Sequence, residues 1–300
     1  MKKLFFLSSL VITACAPQPK SIHQVDSENN LSKTRNNLSQ VRTGLDILLE
    51  EKLDLIKNKS IALVTNHSGL DNNGVPNYKR LMALKDVKLK IIFSPEHGLF
   101  GEAADGEKIN YNGQINTLPH IVSLYGSARK PKKEHLEGVD VIIYDIQDVG
   151  ARYYTYITTL GQVMEVASNQ GIPIMVLDRP NPNAHYVDGP ILDTAFTSFV
   201  GMHPIPIVHG MTLVEYAQMI NGEYWLKDSV QCELYWQGMK NYDHQKSYDL
   251  PIKPSPNLPN SQSIGLYPSL CLFEGTDISV GRGTSQQFQV IGSPKLDSCL

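Results

Sequence analysis

Apolar positions in this chain come in short unbroken runs separated by polar, glycine- and proline-marked turns. Residues 60–65, 89–93, 138–145 and 172–177 are four such runs, rich in Ile, Val and Leu. Runs of this kind fill strands that are covered on both faces. Between them the apolar spacing changes to a helical repeat. Residues 44–49 and 78–84 suit helices, and over 152–170 the positions Tyr153, Tyr156, Ile157, Leu160, Met164 and Ala167 keep close to a 3.6-residue period. Thr212 is the expected N-cap of a helix over 213–220, with Glu215 at the capping-box position. Residues 230–236 and 288–291 read as further strands. Strand, loop and helix in alternation predict βαβ crossovers, hence an α/β fold with a mostly parallel sheet flanked by helices.

The first forty residues break this rhythm. Met1-Lys2-Lys3 is a short positive segment, residues 4–12 are apolar, and small residues precede Cys15. That order predicts a signal peptide over 1–15, and Ile12-Thr13-Ala14-Cys15 resembles a bacterial lipobox. Cleavage before Cys15 and lipidation of its thiol would then tether the protein to a membrane of the cell envelope. Ala16, in place of Asp, favours the outer membrane in a host that has one. Residues 16–40 are rich in Asn, Ser, Gln and Lys without a period, and read as a flexible tether.

Composition changes little in this picture. The chain has 300 residues, 41% hydrophobic and 19% charged, enough for a sizeable core. A net charge of -3 gives no basic face and hence no reason to expect nucleic acid as a partner. Cys232, Cys271 and Cys299 lack metal-type spacing; they allow one disulfide without predicting it. The oligomeric state is left open.

The candidate chemistry collects where predicted strands end. Glu96 and His97, within Ser94-Pro95-Glu96-His97-Gly98, follow the second strand, and Asn66, Asp145, Gln147, Asp148 and Asp178 follow others. In open α/β sheets ligands bind at that edge. Glu102, Asp105 and Glu107 add acids on a nearby loop. Converging carboxylates suit glycoside hydrolysis, in which one donates a proton to the leaving oxygen and another acts at the anomeric carbon. Glu96 is the expected acid, since apolar neighbours and a second carboxylate favour its protonated form. His97 is expected to orient it or share the proton transfer. Asp148 is a candidate catalytic carboxylate, with the identity of the second acid left open among the strand-end residues. Arg152, Arg179 and Arg282 each sit beside a turn, where a planar guanidinium could grip a substrate carboxylate. The alternative for each is a structural pair with Asp148 or Asp178. Tyr153, Tyr154 and Tyr156 offer rings for stacking on a sugar, although helical spacing would turn some of them into the core. No G-x-S-x-G elbow or H-E-x-x-H zinc motif is present.

Several stretches together resemble the NamZ-type exo-β-N-acetylmuramidases, a former domain of unknown function. They are Ser94-Pro95-Glu96-His97-Gly98, Asp145-Ile146-Gln147-Asp148-Val149-Gly150-Ala151-Arg152, Asp178-Arg179-Pro180-Asn181-Pro182, His209-Gly210-Met211-Thr212, Ser255-Pro256-Asn257, Glu274-Gly275-Thr276 and Gly281-Arg282-Gly283-Thr284. The resemblance runs from about residue 43 to residue 294. It implies a Rossmann-like domain, expected over 41–284, and a smaller C-terminal α+β domain that begins at 285–300 and is cut short. It implies removal of terminal β-linked N-acetylmuramic acid from peptidoglycan fragments without a cofactor, with Glu96 as the acid. It also implies substrate contacts from Asn66, Asp145, Gln147, Arg152, Tyr153, Asp178, Arg179, Asn181, His209, Glu274 and Arg282. The lactyl carboxylate of muramic acid would give the arginines a partner. Two other readings stand beside it: a non-catalytic peptidoglycan-binding lipoprotein, and a metal-assisted hydrolase of another envelope bond.

Overall fold

The computed structural model describes residues 40–101, 117–126 and 128–295; Cys15, the signal-like segment, the tether up to residue 39, Glu102, Asp105, Glu107 and Cys299 lie outside the described residues. The core is a sheet of strands β1 (Lys59–Thr65), β2 (Val87–Ser94), β3 (His120–Ser123), β4 (Val141–Asp145), β5 (Ile174–Leu177) and β6 (Leu234–Gln237). They lie in the order β3-β2-β1-β4-β5-β6, and each neighbouring pair is parallel. This is the doubly wound Rossmann order, which reverses between β1 and β4. The continuous apolar runs are explained by two covered faces. Ala62, Val64, Phe93, Ile142, Tyr144 and Val176 pack on one side. Ile61, Leu63, Ile92, Ile143 and Leu177 pack on the other.

Helices α1 (Gly44–Glu51) and α2 (Asn77–Met82) cover the second face, with a four-residue turn of helix, α3 (Lys133–Leu136), preceding β4. Helices α4 (Tyr156–Gln170), α5 (Leu213–Gly222) and α6 (Ser261–Leu270) cover the first. Thr212 caps α5 as expected: the Glu215 amide donates to its hydroxyl, and the Thr212 amide donates to the Glu215 carboxylate at 2.8 Å. Cys232 and Cys271 are free thiols.

Four local expectations differ from the structure. The helix expected from 152 starts at Tyr156, because Gly150 is left-handed (φ 77°) and Ala151 and Arg152 bond instead to the segment at 207–208. The sixth strand begins only at Leu234, since the side-chain amide of Asn221 binds both the N–H (2.9 Å) and the carbonyl (3.2 Å) of Cys232. Residues 288–291 form no strand: Phe288 is itself left-handed (φ 51°) and buries its ring.

The fourth difference is α6, a helix that the apolar spacing does not predict. Asn260 caps it, accepting from the Ser263 amide at 2.9 Å. Pro268, inside the helix, has no N–H for the Ile264 carbonyl. The side-chain amide of Asn183 donates to that carbonyl instead, at 3.2 Å, and to the Val149 carbonyl at 2.9 Å. One buried asparagine thus repairs the helix and ties it to the loops after β4 and β5.

Candidate active site

A cleft of about 520 Å³ opens at the carboxyl edge of the sheet, within the usual range for small-molecule sites. Glu96 and His97 enter it from the end of β2, Tyr153 and Thr155 from the loop after β4, and Tyr267, Glu274, Arg282 and Phe288 from α6 and the segment beyond it.

Glu96 is aimed by its neighbours. Pro95 ends β2, and His97 and Gly98 are both left-handed (φ 69° and 72°), so the chain turns back sharply. The Thr155 hydroxyl donates to Glu96 Oε2 at 3.3 Å. The Tyr156 hydroxyl donates to the Glu96 backbone carbonyl at 3.4 Å and accepts from Asn66 Nδ2 at 2.9 Å. His97 is buried at the cleft wall, close enough to His67 for charge on one ring to disfavour charge on the other. Burial lowers the His67 pKa first of all, and its Nε2 meets the Lys253 carbonyl at 2.9 Å. Burial thus favours the neutral His67 ring, and its Nε2 donates that hydrogen bond, since a carbonyl can only accept.

The opposite wall is aromatic and charged. Tyr153 and Tyr267 meet edge to face at 5.3 Å, and Tyr267 and Phe288 at 5.0 Å, contacts worth about 0.5–1.5 kcal/mol each beyond area burial. The Tyr153 hydroxyl donates to the Pro268 carbonyl. Arg282 pairs through Nε with Glu274 Oε1, and its guanidinium lies 5.3 Å from the Phe288 ring centroid. The Cys271 thiol donates to Glu274 Oε2 at 3.3 Å, and burial pushes that thiol up to about 12. Burial also raises the Glu274 carboxyl. Burial lowers the Arg282 guanidinium while the Glu96 charge opposes the shift.

The other strand-end residues form a buried layer beneath the cleft, and this corrects their expected roles. Asp145 does not line the cleft: it is fully buried and accepts from Arg179 Nε at 2.6 Å, Arg179 Nη2 at 3.0 Å and Asn77 Nδ2 at 2.7 Å. Arg179 spends its fork there and on the Leu70 carbonyl at 3.0 Å. Asp148, the candidate catalytic carboxylate, is 4% exposed, accepts from the Gly150 amide at 2.7 Å and lies 3.5 Å from His209 Nε2. The Met211 amide donates to His209 Nδ1 at 3.2 Å, so Nε2 carries the proton that faces Asp148. Gln147 donates to the carbonyls of Asp148 (2.7 Å) and Pro180 (2.6 Å). Asn66 supports Tyr156 and the Ser68 amide. Asn181 binds the Met211 carbonyl at 2.9 Å and fills the space that a side chain on Gly150 would need. Arg152 turns away to the carbonyls of Pro190 (2.8 Å) and Ile205 (2.6 Å). Asp178 accepts from the Thr212 hydroxyl at 3.0 Å and the Val214 amide at 3.2 Å, and burial pushes it up to about 7.

Glu96, His97, Tyr153, Tyr154, Tyr156, Glu274 and Arg282 are thus among the expected residues that line the cleft, Tyr154 and Tyr156 being buried in its floor. Thr155, Tyr267 and Phe288 belong with them and were not expected. Thr155 adjoins a tyrosine run that reads as helix, Tyr267 lies on the unforeseen α6, and Phe288 sits in a turn that reads as strand. Among the described residues, no three His, Cys, Asp or Glu side chains gather as a metal site.

Comparison with known proteins agrees with the architecture. Residues 61–262 match the family described as exo-beta-N-acetylmuramidase NamZ, N-terminal, and residues 265–300 match its C-terminal counterpart. The cleft draws Glu96 from the first span and Glu274 and Arg282 from the second. The chain is 40% identical over 98% of its length to a Bacillus subtilis (strain 168) protein named peptidoglycan beta-N-acetylmuramidase NamZ, and covers 70% of that protein. Two crystal structures of DUF1343 family proteins from Bacteroides fragilis NCTC 9343 superimpose on 86% of the chain. One has a TM-score of 0.77 at 46% identity, with 69% of its own length covered. The other has a TM-score of 0.79 at 31% identity, with 67% covered. The chain therefore belongs to the NamZ exo-β-N-acetylmuramidase family.

Proposed function

We propose that this protein is an exo-acting glycoside hydrolase that releases terminal β-linked N-acetylmuramic acid from peptidoglycan fragments. Family membership supports the reaction. The observation that carries it to the residues is the placement of Glu96, a carboxylate at a strand end, held by Thr155 and opening into a cleft of sugar size. In this reading Glu96 gives its proton to the glycosidic oxygen as the bond to the anomeric carbon breaks; water adds to that carbon, and the proton it releases restores the acid. His97, its neighbour in the wall, orients the acid or shares the proton transfer. The rings of Tyr153, Tyr267 and Phe288 present apolar faces and edges to the pyranose.

Glu96→Gln keeps the shape and removes the acid, so release of the chromophore from a chromogenic N-acetyl-β-muramide is expected to fall by about two to four orders of magnitude. The thermal midpoint is expected to stay within a few degrees. Turnover equal to the wild type would remove Glu96 from the acid role.

A lipid-anchored location in the cell envelope is part of the same proposal, supported by the positive start, the apolar 4–12 segment and the lipobox-like Ile12-Thr13-Ala14-Cys15. Metabolic labelling with a fatty acid is expected to mark the wild type and not Cys15→Ala; equal labelling of both would sink the anchor.

A further inference from the structure

We propose that Arg282 is the specificity residue that docks the lactyl carboxylate of muramic acid, and that Glu274 holds the guanidinium until the substrate's carboxylate takes its place. This rests on the muramidase reading and assigns within it the group that distinguishes a muramic acid from a glucosamine.

The assignment follows from how the arginines are spent. Arg179 is locked in a buried two-pronged pair with Asp145. Arg152 is turned to the Pro190 and Ile205 carbonyls. Arg282 instead lies in the cleft wall, among whose described residues it is the arginine or lysine present. It is already paired with a carboxylate, the same chemical group that a lactyl ether carries. A planar guanidinium can exchange one carboxylate for another without changing its own geometry.

Position agrees with this role. The lactyl ether of N-acetylmuramic acid is borne on C3 of the ring, two carbons from the anomeric centre. Its receptor must therefore sit near the catalytic acid without being bonded to it, and Arg282 is close enough to Glu96 for the two charges to interact. The guanidinium is backed by the Phe288 ring, within cation–π distance. Glu274 is suited to yielding, since burial raises its carboxyl and the Cys271 thiol still satisfies its second oxygen when Arg282 leaves.

Calorimetric titration of the full chain with N-acetylmuramic acid, its lactamide and N-acetylglucosamine tests this independently of catalysis. The wild type is expected to bind the free acid about ten- to hundred-fold more tightly than either uncharged sugar, the range that a charge-assisted pair supplies. Arg282→Ala is expected to erase that ratio, and Arg282→Lys to restore part of it. Glu274→Gln, by removing the competing carboxylate, is expected to tighten binding of the free acid. Equal binding of the acid and its lactamide by the wild type overturns the proposal without any variant, as does a ratio that survives in a folded Arg282→Ala. Weaker binding in Glu274→Gln overturns the exchange. Failure to hydrolyse the chromogenic muramide while the binding ratio holds would instead count against the muramidase reading.

Discussion

Arg179 grips Asp145 through two hydrogen bonds, Nε at 2.6 Å and Nη2 at 3.0 Å, with 5% of the arginine side chain and none of the aspartate exposed. The pair joins the ends of β4 and β5, neighbouring strands at the centre of the sheet. It is part of the scaffold, and removing one partner strands the other's charge.

Arg179→Ala is accordingly expected to cost about 3–5 kcal/mol of stability, the usual result of leaving a buried charge unpaired. Arg179→Lys recovers only part of this, because a point charge cannot reproduce the fork. Urea unfolding checks it. An unchanged midpoint with a raised KM for the muramide would return Arg179 to the substrate.

This pair shows what the sequence can and cannot convey. The strands were legible because burial on both faces leaves unbroken apolar runs, as in β4. The four-residue edge strand β3 was not, since it is only partly covered. Helix α6 was hidden by Pro268, whose helix-breaking effect is offset by Asn183, more than eighty residues earlier in the chain. At the site, the strand-end position of Glu96 could be read directly. Depth could not: Asp145, Asp148 and Arg179 stand on the same edge as Glu96, but lie a layer below the cleft. Which acids meet solvent is decided by side-chain packing between segments distant in sequence.

Asp178 gives a pH dependence. Burial raises its folded carboxyl to about 7 from an ordinary 3.8, so between those values the folded protein holds a proton that the unfolded chain has released. Stability from this group is therefore present below about pH 4 and is lost as pH rises through about 7. Asp178→Asn is expected to lower overall stability, since a carboxamide has one acceptor oxygen for the two donors, and to flatten the slope over that window. Thermal midpoints across the pH range check it; an unaltered slope in the variant would refute the assignment.

Asn183→Ala should leave the Ile264 carbonyl without its replacement donor and cost about 1–3 kcal/mol. Pro268→Ala restores a helix N–H to that carbonyl, so in a double-mutant cycle the cost of losing Asn183 should shrink. Strict additivity would show that the two residues do not share this bond.

The left-handed backbone at His97 limits which residues can stand there. For most side chains that conformation costs on the order of 1 kcal/mol, with Asn, Asp and His several-fold enriched and Gly unpenalised. The reversal at His97 and Gly98 sends Glu96 to the cleft and Leu99, 1% exposed, into the opposite core cluster. An alanine at 97 would thus remove an imidazole and also oppose the turn that presents the acid. Asparagine is the cleaner control, for it keeps the turn while deleting the ring, and the short list of tolerated residues ties the evolution of this position to the direction in which Glu96 points.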